Sequence, residues 1–520
     1  MSLARAALAL VTATAAFSCA HTRTGDAPTT RPLAIIAVND VYRVASPSET
    51  PEGGLARVAT LARDWARTHD VLVTMAGDFV SPALETTFGS GGRHMIEALD
   101  ALEGPPDDAV HVVVTLGNHE YDIKPPDFCA AFDGRRGERG FEVVAKDTAL
   151  FPPCLKGPIP AWTTHELGGR TVCLTGSLGA IVPELNPQAS VLAPEALVEG
   201  RPDGCDLQIL LTHQNMPDDL RLAAALRALP GQPETLILGG HEHTGLSATH
   251  AAPWVLKAPS DARRAYVLDY AAGPPRLLDV ALTGETPPEA PDVRAIGDRW
   301  RAQVLEKRGI DPALWGRVLW PTLPVMIEGE ETALRERETT LANLFADSAR
   351  LQAKAGERPV VTVINTGSLR LGRDIPAGKD LTAGHLLETD LFEAAVVRVP
   401  DVTPAELTAI ATASFREWPG SGRFPGVSSN LSIRWSGTGD AVVTATGNVD
   451  LLTTDFMCSN PKGALENPAL RAACEARKGR IETIGTLRGL VQSCLEQTVC
   501  RDALAKVISS ARIAVPGKVP

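Results

Sequence analysis

Five short apolar runs in this chain each stop on a residue able to ligate a metal. Leu33–Val38 runs into Asn39-Asp40, Val71–Met75 into Gly77-Asp78, and Val112–Leu116 into Gly117-Asn118-His119. Leu207–Leu211 runs into Thr212-His213, and Leu236–Leu238 into Gly239-Gly240-His241. Runs this short, apolar throughout rather than alternating, read as strands buried on both faces. Between the first three, Leu55, Val58, Leu61 and Trp65, then Met95, Ile96 and Leu99, recur at helical spacing. Strand–helix–strand–helix–strand predicts an α/β fold built on a parallel sheet. In open sheets of that kind the carboxyl ends of the strands form the ligand crevice, so the five polar endings are expected to meet at one site.

The 520 residues allow three domains or two large ones, at roughly 100–200 residues each. Pro and Gly crowd Gly273-Pro274-Pro275 and Thr286-Pro287-Pro288-Glu289-Ala290-Pro291, which reads as the edge of a first domain. Ala295–Leu305 reads as a linking helix, and a second domain begins near Val325. Its markers are a helix with Leu341, Leu344, Phe345, Ser348 and Leu351 on one face, the strand Val360–Ile364, and a capping box opening a helix at Thr403-Pro404-Ala405-Glu406. The expected boundaries are 1–30, 31–290, 291–324 and 325–520. A net charge of −12 argues against a nucleic-acid polymer as partner. It leaves phosphate chemistry open, because a bound metal dominates its local field.

Residues 1–30 have the layout of an export signal: Arg5, an uncharged and largely apolar run from Ala6 to Phe17, then Ser18-Cys19-Ala20. Ala16-Phe17-Ser18-Cys19 resembles a bacterial lipobox with Ala16 where Leu is usual, which would attach the chain to a membrane through a lipidated Cys19. The alternative is ordinary cleavage after Ala20. Either way the expected location is periplasmic, outer-membrane or secreted. Eight further cysteines permit disulfides in an exported chain. Cys129 and Cys154 bracket one insertion, and Cys458, Cys474, Cys494 and Cys500 crowd the C-terminus, where disulfides would brace a second. Cys173, inside the apolar run Thr171–Leu174, reads as a buried free thiol.

The chemistry sits in five blocks: Asp40-Val41-Tyr42, Gly77-Asp78, Gly117-Asn118-His119-Glu120 with Asp122, Thr212-His213, and Gly240-His241-Glu242-His243. Any one has a bland explanation. A lone histidine at a strand end is usually a satisfied polar residue, and a lone Asn or Asp a turn or helix cap. Together they supply carboxylate, amide oxygen and imidazole, the donors that hard-to-borderline divalent metals take. Two such ions about 3.5–4 Å apart can clamp both oxygens of an in-line phosphoryl displacement. One carboxylate must bridge them, and Asp78, on the central block, is placed to do so.

In this order the blocks resemble the calcineurin-like metallophosphoesterases. Asn39-Asp40, Gly53-Gly54-Leu55-Ala56-Arg57, Gly117–Asp122 and Gly239-Gly240-His241 are similar to the bacterial 5′-nucleotidase / UDP-sugar hydrolase / 2′,3′-cyclic phosphodiesterase branch. The resemblance implies a four-layer αββα metallophosphoesterase sandwich, followed by a C-terminal α/β substrate-binding domain. It implies two divalent metal ions, drawn from Mn, Zn, Mg or Fe. Asp40, Asp78 and His243 would hold the first; Asp78, Asn118, His213 and His241 the second. His119, oriented by Asp122, would face the developing charge, and the attacking group would be metal-bound hydroxide. The family's first block is usually Asp-x-His, and here Tyr42 replaces that histidine, either ligating as phenolate or packing close by.

The resemblance continues through Leu334–Leu344 and Asn365-Thr366-Gly367-Ser368-Leu369-Arg370. It implies substrate contacts from Asn365 and Arg370, and a nucleobase stacked between two Phe rings, Phe424 and Phe456. Cys458-Ser459-Asn460-Pro461-Lys462-Gly463 departs from the family's Gly-Gly-Asp-Gly loop, which shapes the base pocket. The expected activity is that of an exported 5′-nucleotidase releasing phosphate from nucleoside monophosphates. The alternatives are a cyclic-nucleotide phosphodiesterase, a nucleotide-sugar pyrophosphatase, or a non-catalytic nucleotide-binding lipoprotein.

Overall fold

A computed structural model describes residues 31–46, 51–103, 110–133, 140–147, 159–284, 286–354, 356–416, 418, 422–459 and 467–516. Residues 1–30, on which the expectation of an export signal and of a lipidated Cys19 falls, and Cys154 lie outside the described residues.

The N-terminal half holds twelve strands in two six-stranded sheets. The first sheet has the order β12-β11-β1-β2-β3-β4 and the second β5-β6-β7-β8-β10-β9. In the first, β1 (Leu33–Val38), β2 (Asp70–Ala76), β3 (Val110–Thr115) and β4 (Glu142–Val143) run parallel, with β11 (Arg264–Asp269) and β12 (Arg276–Ala281) antiparallel at the edge. In the second, β6 (Arg170–Ser177), β7 (Leu207–Thr212), β8 (Glu234–Gly239) and β10 (Trp254–Lys257) are parallel, flanked by antiparallel β5 (Thr163–Leu167) and β9 (Leu246–Ala248).

The five apolar runs are thus strands, but shared between two mixed sheets rather than lying in one. Alternation within each strand explains the four layers. Leu33, Ile35 and Ala37 meet Leu207, Ile209 and Leu211 in the core between the sheets. Their neighbours Ala34, Ile36 and Val38 face the helices Leu55–Trp65 and Arg93–Asp100 on one outside face. Leu210 and Ile237 face the helix Met216–Ala228 on the other. A strand with apolar neighbours on both sides has no polar face to show, hence the unbroken runs. The αββα sandwich is formed as expected.

The helix Pro291–Lys307 buries Val293 and Ile296 against this first half. The C-terminal half is built on a five-stranded sheet in the order Pro425–Val427, Val360–Asn365, Val449–Thr454, Ala395–Val402, Glu482–Thr486, with smaller two- and three-stranded sheets beside it. The helix Thr340–Gln352 covers one face and Pro404–Ser414 the other. The capping box is formed: Thr403 and Glu406 each accept the other's backbone N–H. Among the described residues, no helix is long and apolar enough to cross a membrane.

Disulfides join Cys458 to Cys474 and Cys494 to Cys500, bracing the C-terminal insertion as expected. Cys173 is not a free thiol. It is bonded to Cys205, in the turn that feeds β7, because β6 and β7 are adjacent and bring the two Cα atoms to 5.8 Å.

Candidate metal centre

Each candidate ligand follows the last residue of a strand by one to four positions, and the parallel strands deliver all of them to one end of the sandwich. Asp40 follows β1, Asp78 β2, Asn118 β3, His213 β7, and His241 and His243 follow β8. The backbone at Asp40, Asp78, His241 and His243 is left-handed, with φ of 52, 56, 92 and 64°. Such values cost roughly 1–2 kcal/mol for a residue with a Cβ, and strain of this kind collects at functional sites. The glycines beside the ligands exist for clearance. A Cβ on Gly117 would stand 2.1 Å from Oδ1 of Asp78, and one on Gly77 2.6 Å from Nδ1 of His213.

The donors converge in two overlapping groups. In one, Tyr42 Oη lies 3.4 Å from Asp40 Oδ1, 3.3 Å from Asp78 Oδ2 and 3.0 Å from His243 Nε2. In the other, Asn118 Oδ1 lies 3.1 Å from both His213 Nε2 and His241 Nδ1, and His213 Nε2 lies 3.2 Å from Asp78 Oδ2. Asp78 belongs to both. Ligand atoms of Asp40, Asp78 and His213 all fall within 4.8 Å of one another.

The two aspartates are buried, and among the described residues neither pairs with a lysine or arginine. Each carboxylate keeps neutral N–H donors, Asn39 and the His241 backbone on Asp40 and the His119 backbone on Asp78. The oxygens Asp40 Oδ1 and Asp78 Oδ2 turn to the histidines and the phenol, a donor set suited to divalent cations. The residues therefore fit the ions that the fold implies.

The electrostatics show how tightly the groups are coupled. Burial opposes the charge of Asp78, but His213 and His119 outweigh it and hold the carboxyl well below its usual range. Burial likewise opposes charge on Asp40, and His243 and His213 hold it low. Burial, then Asp78 and Asp40, push the Tyr42 phenol far above its ordinary value. Without a cation nearby its proton stays on, so ligation by Tyr42 requires the ion to displace it. Burial and the neighbouring His213 push His241 down to about 4.

His119 and Asp122 meet as expected: Nδ1 lies 2.6 Å from Oδ2, and Ser81 Oγ donates to the same oxygen at 3.2 Å. The His119 backbone N–H donates to Asp78 Oδ1 at 2.8 Å. Burial lowers the affinity of the His119 ring for a proton, but Asp78 and Asp122 raise it further. The imidazole is therefore held toward its protonated form beside the ligand cluster.

Beside the cluster lies a cavity of about 310 Å³ between the two halves, lined by Tyr42, His243, Glu331, Arg370 and Trp315 among others. Arg370 lines this cavity, and its Nη1 donates to Glu331 at 3.1 Å. Asn365 ends the strand Val360–Asn365, buried, with both side-chain polar atoms unpartnered among the described residues. The two phenylalanines do not clamp this cavity. Phe424 is 1% exposed and packs edge-on to Phe415 at 5.8 Å in the C-terminal core. Phe456 is 43% exposed on the short helix Asp455–Ser459. Twelve phenylalanines must also fill cores, and Phe424 joins Phe415 and Val427 in the core of the C-terminal half.

Three further residues frame the centre: Glu120, which stands in the third block without an assigned role, and Lys257 and Glu331, which lie outside the blocks. Glu120 accepts backbone N–H groups from Asp78, Phe79, Val80 and Gly117, tying the β2 loop to the β3 loop. Lys257, 1% exposed, donates to the carbonyls of Gln214 and Gly240 and to the carboxylate of Glu242, and forms an ion pair with Asp219 at 2.9 Å. A lysine closing the apolar strand Trp254–Lys257 is the signal that could have revealed it. Glu331, from the C-terminal half, accepts from His243, a contact across 88 residues with no local signature.

Comparison with known proteins bears on the fold that carries these residues. Residues 33–245 match the calcineurin-like phosphoesterase family. A 5′-nucleotidase precursor from Thermus thermophilus superposes with a TM-score of 0.67 at 22% identity, covering 94% of this chain and 100% of that one. The sulfate thiohydrolase SoxB from Thermus thermophilus gives 0.60 at 14% identity, covering 95% and 98%. A 5′-nucleotidase from Candida albicans gives 0.58 at 12% identity, covering 90% and 98%. No curated protein matches the chain by sequence. Residues 33–245 thus match the calcineurin-like phosphoesterase family, and the chain as a whole shares its two-domain fold with solved 5′-nucleotidases.

Proposed function

We propose that this chain is an exported phosphoester hydrolase of the 5′-nucleotidase type, releasing phosphate from nucleoside monophosphates. The observation that carries the reading is the convergence of seven donors, with Asp78 shared, at the mouth of an arginine-lined cavity between two halves. Asp40, Tyr42, Asp78 and His243 would hold one divalent ion, and Asp78, Asn118, His213 and His241 a second. Ions so held supply Lewis acidity, neutralising phosphoryl oxygens and lowering the pKa of water. His119, oriented by Asp122, faces the same space and can deliver a proton to the departing oxygen. Arg370 offers a planar donor fork to phosphate or ribose. We place the phosphoesterase domain at 31–290, a connecting helix at 291–324 and the substrate domain at 325–520. Three disulfides among the described residues suit an oxidising compartment, in keeping with the leader.

Cyclic-nucleotide phosphodiesterase or nucleotide-sugar pyrophosphatase is a second reading. All three substrate classes would present a phosphate to the same donors, and neither Phe424 nor Phe456 lines the cavity to select among them. A phosphate-release screen over nucleoside monophosphates, cyclic nucleotides and nucleotide sugars, with Mn²⁺, Zn²⁺ and Mg²⁺ in turn, tests both. Fast release from monophosphates supports the first. Turnover of none of them by protein shown to carry metal would leave only the nucleotide-binding alternative.

A further inference from the structure

Two histidines of the centre are oriented in different ways. His213 Nδ1 contacts the Ala76 carbonyl at 2.8 Å, so its second-nitrogen partner belongs to the same half of the molecule. His243 Nδ1 instead lies 2.5 Å from Oε2 of Glu331, which opens the helix Glu331–Glu336 of the C-terminal half. The other carboxylate oxygen accepts from Arg370 at 3.1 Å and from Arg335. Glu331 is therefore gripped from its own side and presents its free edge to the histidine. A neutral imidazole that donates from Nδ1 carries its lone pair on Nε2. That Nε2 faces Tyr42 Oη at 3.0 Å and Asp40 Oδ1 at 3.3 Å, where the first ion would lie.

The contact exists only while the halves are seated together. An apolar seam holds them there: Leu84, Phe88, Val304 and Leu305 pack against Leu387 and Leu391.

We infer that Glu331 is a positioning residue that reaches across the seam, holds His243 with Nε2 free for a metal, and so couples the first ion site to the docking of the two halves. The inference rests on reading Asp40, Tyr42, Asp78 and His243 as an ion site. Partners of this kind fix the ring orientation and basicity of a metal-bound histidine, and losing one typically weakens metal affinity by about 10- to 100-fold.

The test is stepwise Mn²⁺ binding to metal-stripped full-length protein by calorimetry, with the magnetic signature of a coupled Mn pair as a second readout. Wild type should bind two ions. Glu331→Ala should keep one ion at wild-type affinity, weaken the other about 10- to 100-fold, and lose the coupled signature at limiting Mn²⁺. Glu331→Gln retains an acceptor oxygen and should recover most of the affinity. Arg335→Met touches Glu331 but not His243, and should change binding by less than about threefold. Leu391→Asp places a charge in the seam without touching any ligand, and should weaken the same ion as Glu331→Ala. Unchanged affinity for both ions in Glu331→Ala, or in Leu391→Asp, overturns the inference. Wild type that binds no Mn²⁺ overturns instead the reading of the ion site, and the two failures are thereby told apart.

Discussion

Tyr42 Oη stands 3.3 Å from Oδ2 of Asp78, in the position from which a ligand would share an ion with that carboxylate. Replacing the hydroxyl therefore tests ligation against mere packing. Tyr42→Phe keeps the ring and should lower phosphate release at subsaturating metal by at least about tenfold, or ~1.4 kcal/mol. Tyr42→His restores the Asp-x-His pattern usual in the resembling family and should retain turnover with a shifted metal preference. A Phe variant with an unaltered metal-activation curve would make the hydroxyl a bystander.

On the proposed reading, His119 and Asp122 would contribute a proton and its orientation but no ligand atom. His119→Ala should reduce kcat by about 10²- to 10⁴-fold, the usual range for a general acid, while metal content by elemental analysis stays at the wild-type value. Asp122→Asn should cost less, since Ser81 and the ring geometry remain. Loss of metal in His119→Ala would contradict its placement outside the ligand set.

Lys257 neutralises Asp219 and Glu242 in a buried pocket behind the histidine loops. Removing one member of such a cluster leaves its partners uncompensated, at a cost of about 3–5 kcal/mol. Lys257→Met should accordingly lower the denaturation midpoint of the metal-free protein. Because the lysine also grips the carbonyls of Gln214 and Gly240, the variant should bind metal less tightly as well. A midpoint within experimental scatter of wild type would show that the pocket repacks.

His94 supplies a pH dependence away from the metal centre. Burial pushes its imidazole down to about 4, against an opposing pull from Glu85 and with Arg301 adding to the depression. Between the unfolded value near 6.5 and the folded value near 4, the unfolded chain binds more protons. Stability from this group is thus complete above pH 6.5 and is lost as pH falls through that window, about 3 kcal/mol in all. Denaturation midpoints from about pH 7 to 4 should fall less steeply in His94→Asn than in wild type. Parallel slopes would remove His94 as a source of acid sensitivity.

The strands and their ligand-bearing ends were legible because a strand buried on both faces leaves an apolar run, and the next polar residues stand out. Sheet membership was not. The run at Leu207 reads like the run at Leu33, though they lie in different sheets, since periodicity reports burial and not pairing. Cys173 read as a free thiol because Cys205, 32 residues on, comes near it only once β6 and β7 align. Glu331 is invisible as a member of the centre for the same reason: its role depends on a partner brought close by tertiary packing. Phe424 shows the opposite failure. A matching motif placed it at a substrate clamp, and the C-terminal core claims its ring.

Glu120 collects four main-chain donors on one buried carboxylate, and through them governs the course of the chain at Asp78 and Gly117. Tyr42, by contrast, offers only the tip of a side chain. The centre therefore divides its labour between a frame and its fittings. Exchanging a fitting can retune which ion is preferred and leave the chain's path intact. Altering the frame moves several ligands at once, so divergence at a site like this has room at Tyr42 and very little at Glu120.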